Sequence, residues 1–113
     1  AAAEGFLCLS PPLPQDLDTP EARAFLADYR AKYGSVPGSI WGVLAGDAFR
    51  VLARAVEVAK GTDGAKVAAA LKGSVKDFPG LTGKIAFDGR GDRVGDVYRV
   101  YRVDAAGVFV LRK

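Results

Sequence analysis

The sequence predicts an α/β fold of about three helices, one buried strand and a C-terminal β-meander. Three observations predict it. Residues 5–10, GFLCLS, form a short run apolar on both faces, the pattern of a strand covered on both sides of a sheet. From Thr19 to Gly73 the apolar residues recur at helical spacing. From Leu81 onward the period falls to two, interrupted by glycine and aspartate turns.

Each element has local support. Pro11, Pro12 and Pro14 stop the first strand, because proline cannot donate to a ladder. Thr19-Pro20-Glu21 then opens a helix with a capping hydroxyl, a proline at the first helical position and an acid in the positive first turn. Ala22, Phe25, Leu26, Tyr29 and Tyr33 form its apolar face, and Gly34 ends it.

The stretch 39–61, SIWGVLAGDAFRVLARAVEVAKG, is the longest helix. Ser39 is placed to cap it and Gly61 suits the left-handed residue at its end. Trp41, Leu44, Ala45, Ala48, Val51, Leu52, Ala55, Val56 and Ala59 share one side and are expected to face the core. Asp47, Arg50, Arg54 and Glu57 are expected on the wet side. A third, alanine-rich helix starts at Thr62 or Asp63, points Val67, Ala70 and Leu71 inward and ends near Gly73. Phe78-Pro79-Gly80 reads as a turn, followed by a half-buried strand with Leu81, Gly83, Ile85 and Phe87 on one face. Strands at Val97 to Val103 and Val108 to Leu111 flank a turn at Asp104–Gly107.

Composition narrows the function. At 113 residues the chain fits one domain, and such a domain buries roughly two-thirds of its unfolded surface, enough for a core without metal or disulfide support. The net charge of +3 arises from 16 basic and 13 acidic residues that are interleaved along the chain. Histidine is absent and Cys8 is the only cysteine, which removes Cys/His zinc sites, intrachain disulfides and imidazole-dependent triads. No cofactor or metal site and no enzyme are expected. No apolar run is long enough to span a membrane. With no methionine and an AAAEG start, the chain is expected to be a piece of a longer protein.

Weaker signals favour bland readings. Asp88, Arg90 and Asp92 faintly resemble a calcium loop, but arginine stands where a ligand belongs and no distal glutamate follows. Arg90-Gly91-Asp92 spells an adhesion tripeptide, yet Gly-Asp is also what a turn requires. Tyr98 and Arg102 alternate with Arg99 and Tyr101 across the strand from Val97 to Val103, so neither face is a basic aromatic platform and no nucleic acid is expected. Trp41 is different. A tryptophan at a helix start followed by Gly42, Ala45 and Gly46 is either core or the wall of a ligand cleft.

Taken in order, the motifs AAEGFLCLSPPLP (2–14), TPEARAFLADYRAKYGSVP (19–37), Trp41 ahead of Gly46-Asp47-Ala48, and DFPGLTGKIAFDGRGDRVGDVYRVYRV (77–103) carry a family likeness. The chain resembles the C-terminal part of a branched-chain amino-acid-binding protein, a type I periplasmic substrate-binding protein of an ABC transporter. The likeness covers nearly the whole chain and departs at Gly46, where the family usually carries tyrosine. It implies a two-lobed α/β protein that closes on a small amino acid or amide and presents it to a membrane permease, in the periplasm or cell envelope. It also implies that Trp41 lines the ligand cleft, while the groups for the ligand's amino and carboxylate ends come from upstream segments. Residues 1–38 and 77–113 are expected from one lobe and 39–76 from the other. As such a fragment the chain is expected to bind no ligand alone and to form a homodimer or larger homo-oligomer. A free-standing α/β ligand-sensing or interaction module of the same fold remains the alternative.

Overall fold

The computed structural model describes residues 2–112. In chain order these form β1 (Leu7–Ser10), a 3-10 turn (Pro14–Asp16), α1 (Pro20–Tyr33), α2 (Ile40–Ala59), α3 (Gly64–Gly73), β2 (Phe78–Gly80), β3 (Gly83–Ile85), β4 (Arg99–Val103) and β5 (Phe109–Leu111). One sheet has the order β1-β4-β5, antiparallel throughout, with Cys8 opposite Tyr101 and Val103 opposite Phe109. The other is the antiparallel hairpin β2-β3, with Phe78 opposite Ile85.

The first helix forms as its sequence dictates. The Thr19 hydroxyl accepts the Ala22 N–H at 3.0 Å, Pro20 occupies the first turn, and Gly34 closes the helix in the left-handed region at φ 78°. Asp63 caps α3 in the same way, accepting the Lys66 N–H at 3.0 Å. At α2 the ends differ from expectation. Ser39 makes no side-chain cap, and the left-handed residue is Lys60 at φ 54° instead of Gly61. The Gly61 N–H still reaches back to the Val56 carbonyl, so the last turn is satisfied one residue early.

Three further expectations are corrected. β1 is an edge strand paired only with β4, and Leu7 and Leu9 are exposed, so it is not covered on both sides. Pro79 lies within β2, tolerated because a hairpin edge leaves one side of the strand unpaired, and the turn falls at Leu81-Thr82 instead of 78–80. Most consequential, α2 is rotated. Its buried stripe is Ile40, Val43, Asp47, Val51 and Ala55, while Trp41 and Leu52 are exposed. The helix is apolar around more than half its girth, and the stripe chosen for burial contains an acid whose hydrogen bonds are all met.

Two apolar clusters hold the helices and the β2-β3 hairpin in one body. Leu17, Ala22, Ile40, Val43 and Leu81 form one; Val51, Ala55, Val67, Ala70, Val75 and Ile85 form the other. Leu17 and Ala22 thus share a core with Ile40 and Val43. The sheet β1-β4-β5 is a second body, with Tyr101 and Val103 buried in it. The radius of gyration is 16.5 Å. A compact domain of this length would have about 13 Å. The shape is elongated because the bodies lie side by side, joined by residues 11–19 and 86–98.

Candidate functional site

Helix α2 supplies the candidate surface. Trp41 lies in its first turn and is 74% exposed, which removes it from the core. Gly42 beside it leaves the backbone close to Pro37, whose Cβ lies 3.6 Å from where a glycine Cβ would stand. Ala45, Ala48 and Leu52 continue the Trp41 stripe at helical spacing, and Phe49 flanks it, 74% exposed. Next to the stripe, Leu44, Ala48, Leu52, Leu71, Ile85 and Phe87 wall an apolar groove of about 350 Å³, in which Asp47 and Arg93 are the polar members. Trp41 lies outside this groove, one turn before Leu44.

The orientation of α2 is set by a polar knot on its buried side. Asp47 is 3% exposed. Its Oδ1 accepts the Leu81 N–H at 2.6 Å, and its Oδ2 accepts the Thr82 N–H at 3.0 Å and the Thr82 hydroxyl at 2.6 Å. Arg93 extends the knot. Its Nη1 donates to Thr82 Oγ1 at 2.7 Å, and its Nη2 reaches the Thr82 and Lys84 carbonyls at 3.4 and 3.3 Å. Burial pushes the Arg93 guanidinium below its usual range, and the charge of Asp47 pulls it back up. A guanidinium stays protonated against such shifts, so the knot joins opposite charges through a threonine hydroxyl.

The hairpin turn is gripped from α1 as well. The Thr19 hydroxyl donates to the Leu81 carbonyl at 3.0 Å while accepting the Ala22 N–H. Leu81 is therefore held through its N–H by α2 and through its carbonyl by the cap of α1. At Gly46 a Cβ would stand 3.1 Å from Leu81 Cδ1 and 3.6 Å from Phe25 Cε2, so the glycine lets the turn and α1 approach α2 closely. Glycine at this position tightens the packing.

Other polar clusters serve turns. Asp88 Oδ1 accepts the N–H groups of Arg90, Gly91 and Asp92, and the bond from Asp92 above all holds this carboxyl below its ordinary range. Arg90 lies 3.6 Å from both Asp88 and Asp92. Among the described residues no group of His, Cys, Asp and Glu is arranged to hold a metal ion. Cys8 is half-buried on β1. The arrangement contains an exposed apolar surface on a rigid support, which suits binding by contact.

The family model of the periplasmic binding proteins matches residues 1–108. The chain belongs to the periplasmic binding protein family. A leucine-binding protein, LivK, from Thermotoga maritima is 30% identical and superposes with a TM-score of 0.83, covering 99% of this chain and 31% of that one. An ABC transporter substrate-binding protein from Desulfitobacterium hafniense, solved also in complex with Leu, is 28% identical with a TM-score of 0.78 over 97% of this chain and 32% of that one. The chain therefore spans about a third of the length of the solved structures it matches. None of the curated proteins matches it. Both matched structures are named for binding, one as a leucine-binding protein and one as a substrate-binding protein of an ABC transporter.

The sequence singles out Trp41, which the structure leaves exposed, but gives no prominence to Asp47, Thr82 and Arg93. A signal for Asp47 was present: it stands four residues after Val43 and four before Val51, the spacing of one helical stripe. Its partners, 34 and 35 residues away, leave no local trace.

Proposed function

We propose that the chain is part of the substrate-binding component of an ABC transporter for amino acids, taking leucine or a related small branched amino acid or amide and passing it to a membrane permease from the periplasm or cell envelope. The observation that carries this reading is the superposition of 97% of the chain on a substrate-binding protein solved with Leu. In this role Trp41 lines the ligand cleft, and its 74% exposure leaves its ring free for a ligand. The two apolar clusters support a lobe division in which α1, α2, α3 and the hairpin lie together and β1, β4 and β5 lie in the other lobe, in place of a division at residues 38 and 77. The exposed apolar residues Phe49 and Leu52 on α2, and Leu7 and Leu9 on β1, are covered in the complete fold by the remainder of the two lobes. In isolation they pair with a second copy of the chain, which sedimentation at micromolar concentration checks.

Calorimetry with leucine tests the reading. The complete binding protein carrying this segment takes up leucine, and Trp41→Ala weakens binding by about 1–3 kcal/mol, the range for loss of an aromatic anchor. Stability is unchanged by that substitution, because so exposed a side chain supports no core. The isolated 113-residue chain gives no measurable heat, since part of a cleft cannot satisfy both charged ends of an amino acid. Tight leucine binding by the isolated chain overturns this division of labour and favours a free-standing ligand-sensing module.

A further inference from the structure

Helix α1 keeps its charges on separate sides. Arg23 and Arg30 are seven residues apart and so lie on one line along the helix, while Glu21 and Asp28 lie about 200° around it. The positions three and four residues from each arginine hold Thr19, Pro20, Leu26, Ala27, Tyr33 and Gly34, so neither arginine faces an acid of its own helix. Arg54 pairs with Glu57 and Arg90 lies between Asp88 and Asp92, but Arg23 and Arg30 have no acidic partner among the described residues. Arg23 is also poorly placed for the helix. It is the fourth residue of α1, near the end where the aligned peptide dipoles disfavour a cation. A charge that local physics disfavours and that no contact compensates marks a surface its own fold does not use.

Both arginines line a groove of about 390 Å³ together with Gln15, Leu26, Ala27 and Val36. Leu26 and Val36 are half-buried and give it an apolar floor, while Arg23, Arg30 and Gln15 are exposed at its rim. Trp41 is not part of it. The spacing selects the occupant. Seven helical residues set the arginines about 10.5 Å apart along the axis. Acids on one side of an extended strand recur at about 6.6 or 13 Å and miss that distance, whereas acids seven apart on a second helix match it. Size selects as well: ion pairs made by exposed side chains stay strong only where the partner itself excludes water, which takes a protein surface and not a small dianion.

We propose that this groove docks an amphipathic helix of a partner protein, with two acids seven residues apart set against Arg23 and Arg30 and a small apolar pair between them resting on Leu26, Ala27 and Val36. A second copy of the chain is the poorer occupant. Its acids at that spacing, Glu21 and Asp28, have Lys32 four residues beyond Asp28 on the same side of the helix, which offsets their charge. The docking site does not rest on the transport reading, and its test contains no leucine.

The 113-residue chain is titrated against a fluorescein-labelled peptide of about 18 residues, long enough to hold a helix, with two glutamates seven positions apart, alanine and leucine at the third and fourth positions between them, and neutral residues elsewhere. Fluorescence anisotropy shows saturable binding that weakens as salt is raised. Arg23→Gln and Arg30→Gln each weaken it about tenfold, the size of one lost charge-assisted hydrogen bond. Arg54→Gln on α2 leaves it unchanged. The double variant Arg23→Glu, Arg30→Glu loses binding, and a peptide with lysines in place of the glutamates binds that variant instead. All these positions are exposed, and circular dichroism of each variant checks that the helices are kept. Equal binding of a peptide with glutamines for its glutamates, equal binding of one with its glutamates four apart, or no binding at about 1 mM overturns the proposal. Self-association of the chain in sedimentation that Arg23→Gln abolishes also overturns it, and gives the groove to a second copy.

Discussion

Replacing Asp47 by alanine removes the acceptor that three donors share. The Leu81 and Thr82 N–H groups lose their partners in a buried turn, and the Thr82 hydroxyl loses the oxygen to which it donates. A buried donor left unsatisfied costs about 1–3 kcal/mol, and two backbone donors cannot turn elsewhere. Arg93 also loses the opposite charge that offsets its partial burial. Water entering the vacated space returns part of the loss, which places Asp47→Ala at about 3–5 kcal/mol, the range for breaking one side of a buried charged network. Against a total stability of roughly 5–15 kcal/mol for a domain, such a loss leaves the fold marginal. Asp47→Asn keeps one acceptor oxygen but turns an amide toward a donor, and is expected to cost about 2 kcal/mol. Urea denaturation followed by far-UV circular dichroism gives the midpoint, with an unchanged slope showing that the same surface is exposed. A double-mutant cycle with Thr82→Val isolates the coupling between the two side chains. A loss below about 0.5 kcal/mol for Asp47→Ala, the level of an ordinary surface substitution, refutes the argument that this carboxylate is what fastens the hairpin to α2.

Two backbone substitutions and one titration follow from the same structure. Gly80→Ala places a Cβ 2.7 Å from the Gly83 carbonyl oxygen and 2.5 Å from Ile85 Cδ1, and is expected to destabilise by about 1–3 kcal/mol in a thermal melt because the backbone itself must move. Lys60→Gly relieves a left-handed residue with a Cβ at φ 54° and is expected to raise stability by about 0.5–1 kcal/mol; a lower melting temperature contradicts the assigned cap. Tyr101 carries a phenol that burial raises above its ordinary value, the Leu13 N–H opposing and Asp16 reinforcing the shift. A raised folded-state value means that its contribution to stability is whole below about pH 10, the ordinary tyrosine value, and is lost as pH climbs through the folded-state value. Absorbance titration of the parent against Tyr101→Phe reads this directly, and a Tyr101 phenol that ionises with the exposed tyrosines contradicts its placement.

What the sequence made legible tracks the range of the forces involved. Thr19-Pro20 and Gly34 wrote both ends of α1 because a cap is settled within one turn of chain. The strand at 99–103 and its partner after Gly107 were readable from alternation and a turn. The rotation of α2 was not readable from apolar spacing, because Trp41, Leu44 and Leu52 make as good a stripe as Ile40, Val43 and Val51. The decision between them came from Asp47, and an acid is drawn inward only by donors that sit across the tertiary structure. The same cause displaced the hairpin turn: Phe78-Pro79-Gly80 is a turn by local preference, yet the grip on Leu81 and Thr82 draws the reversal two residues further on. Trp41 stood out by its place at a helix start, where core and cleft wall were both open, and its exposure follows from the stripe that Asp47 selects.

Contact and placement are therefore separable on one helix. Trp41 presents a ring that the described residues leave 74% exposed, whereas Asp47, on the buried stripe of α2, fixes how far that helix is rolled and where its first turn points. Rolling α2 by one residue position, about 100°, would exchange the two stripes and bury the tryptophan. The cost of that exchange is the knot of hydrogen bonds around Asp47, worth several kcal/mol, which a single residue's preference for burial, about 1.5–3 kcal/mol for a large apolar side chain, does not offset. A buried acid thus keeps an aromatic ring in solvent. On the proposed reading, in which the complete protein holds a small molecule between two surfaces, the residue that sets the binding surface need never touch the ligand. Asp47→Ala and Trp41→Ala should accordingly differ in kind, the first removing stability and ligand affinity together and the second removing affinity alone.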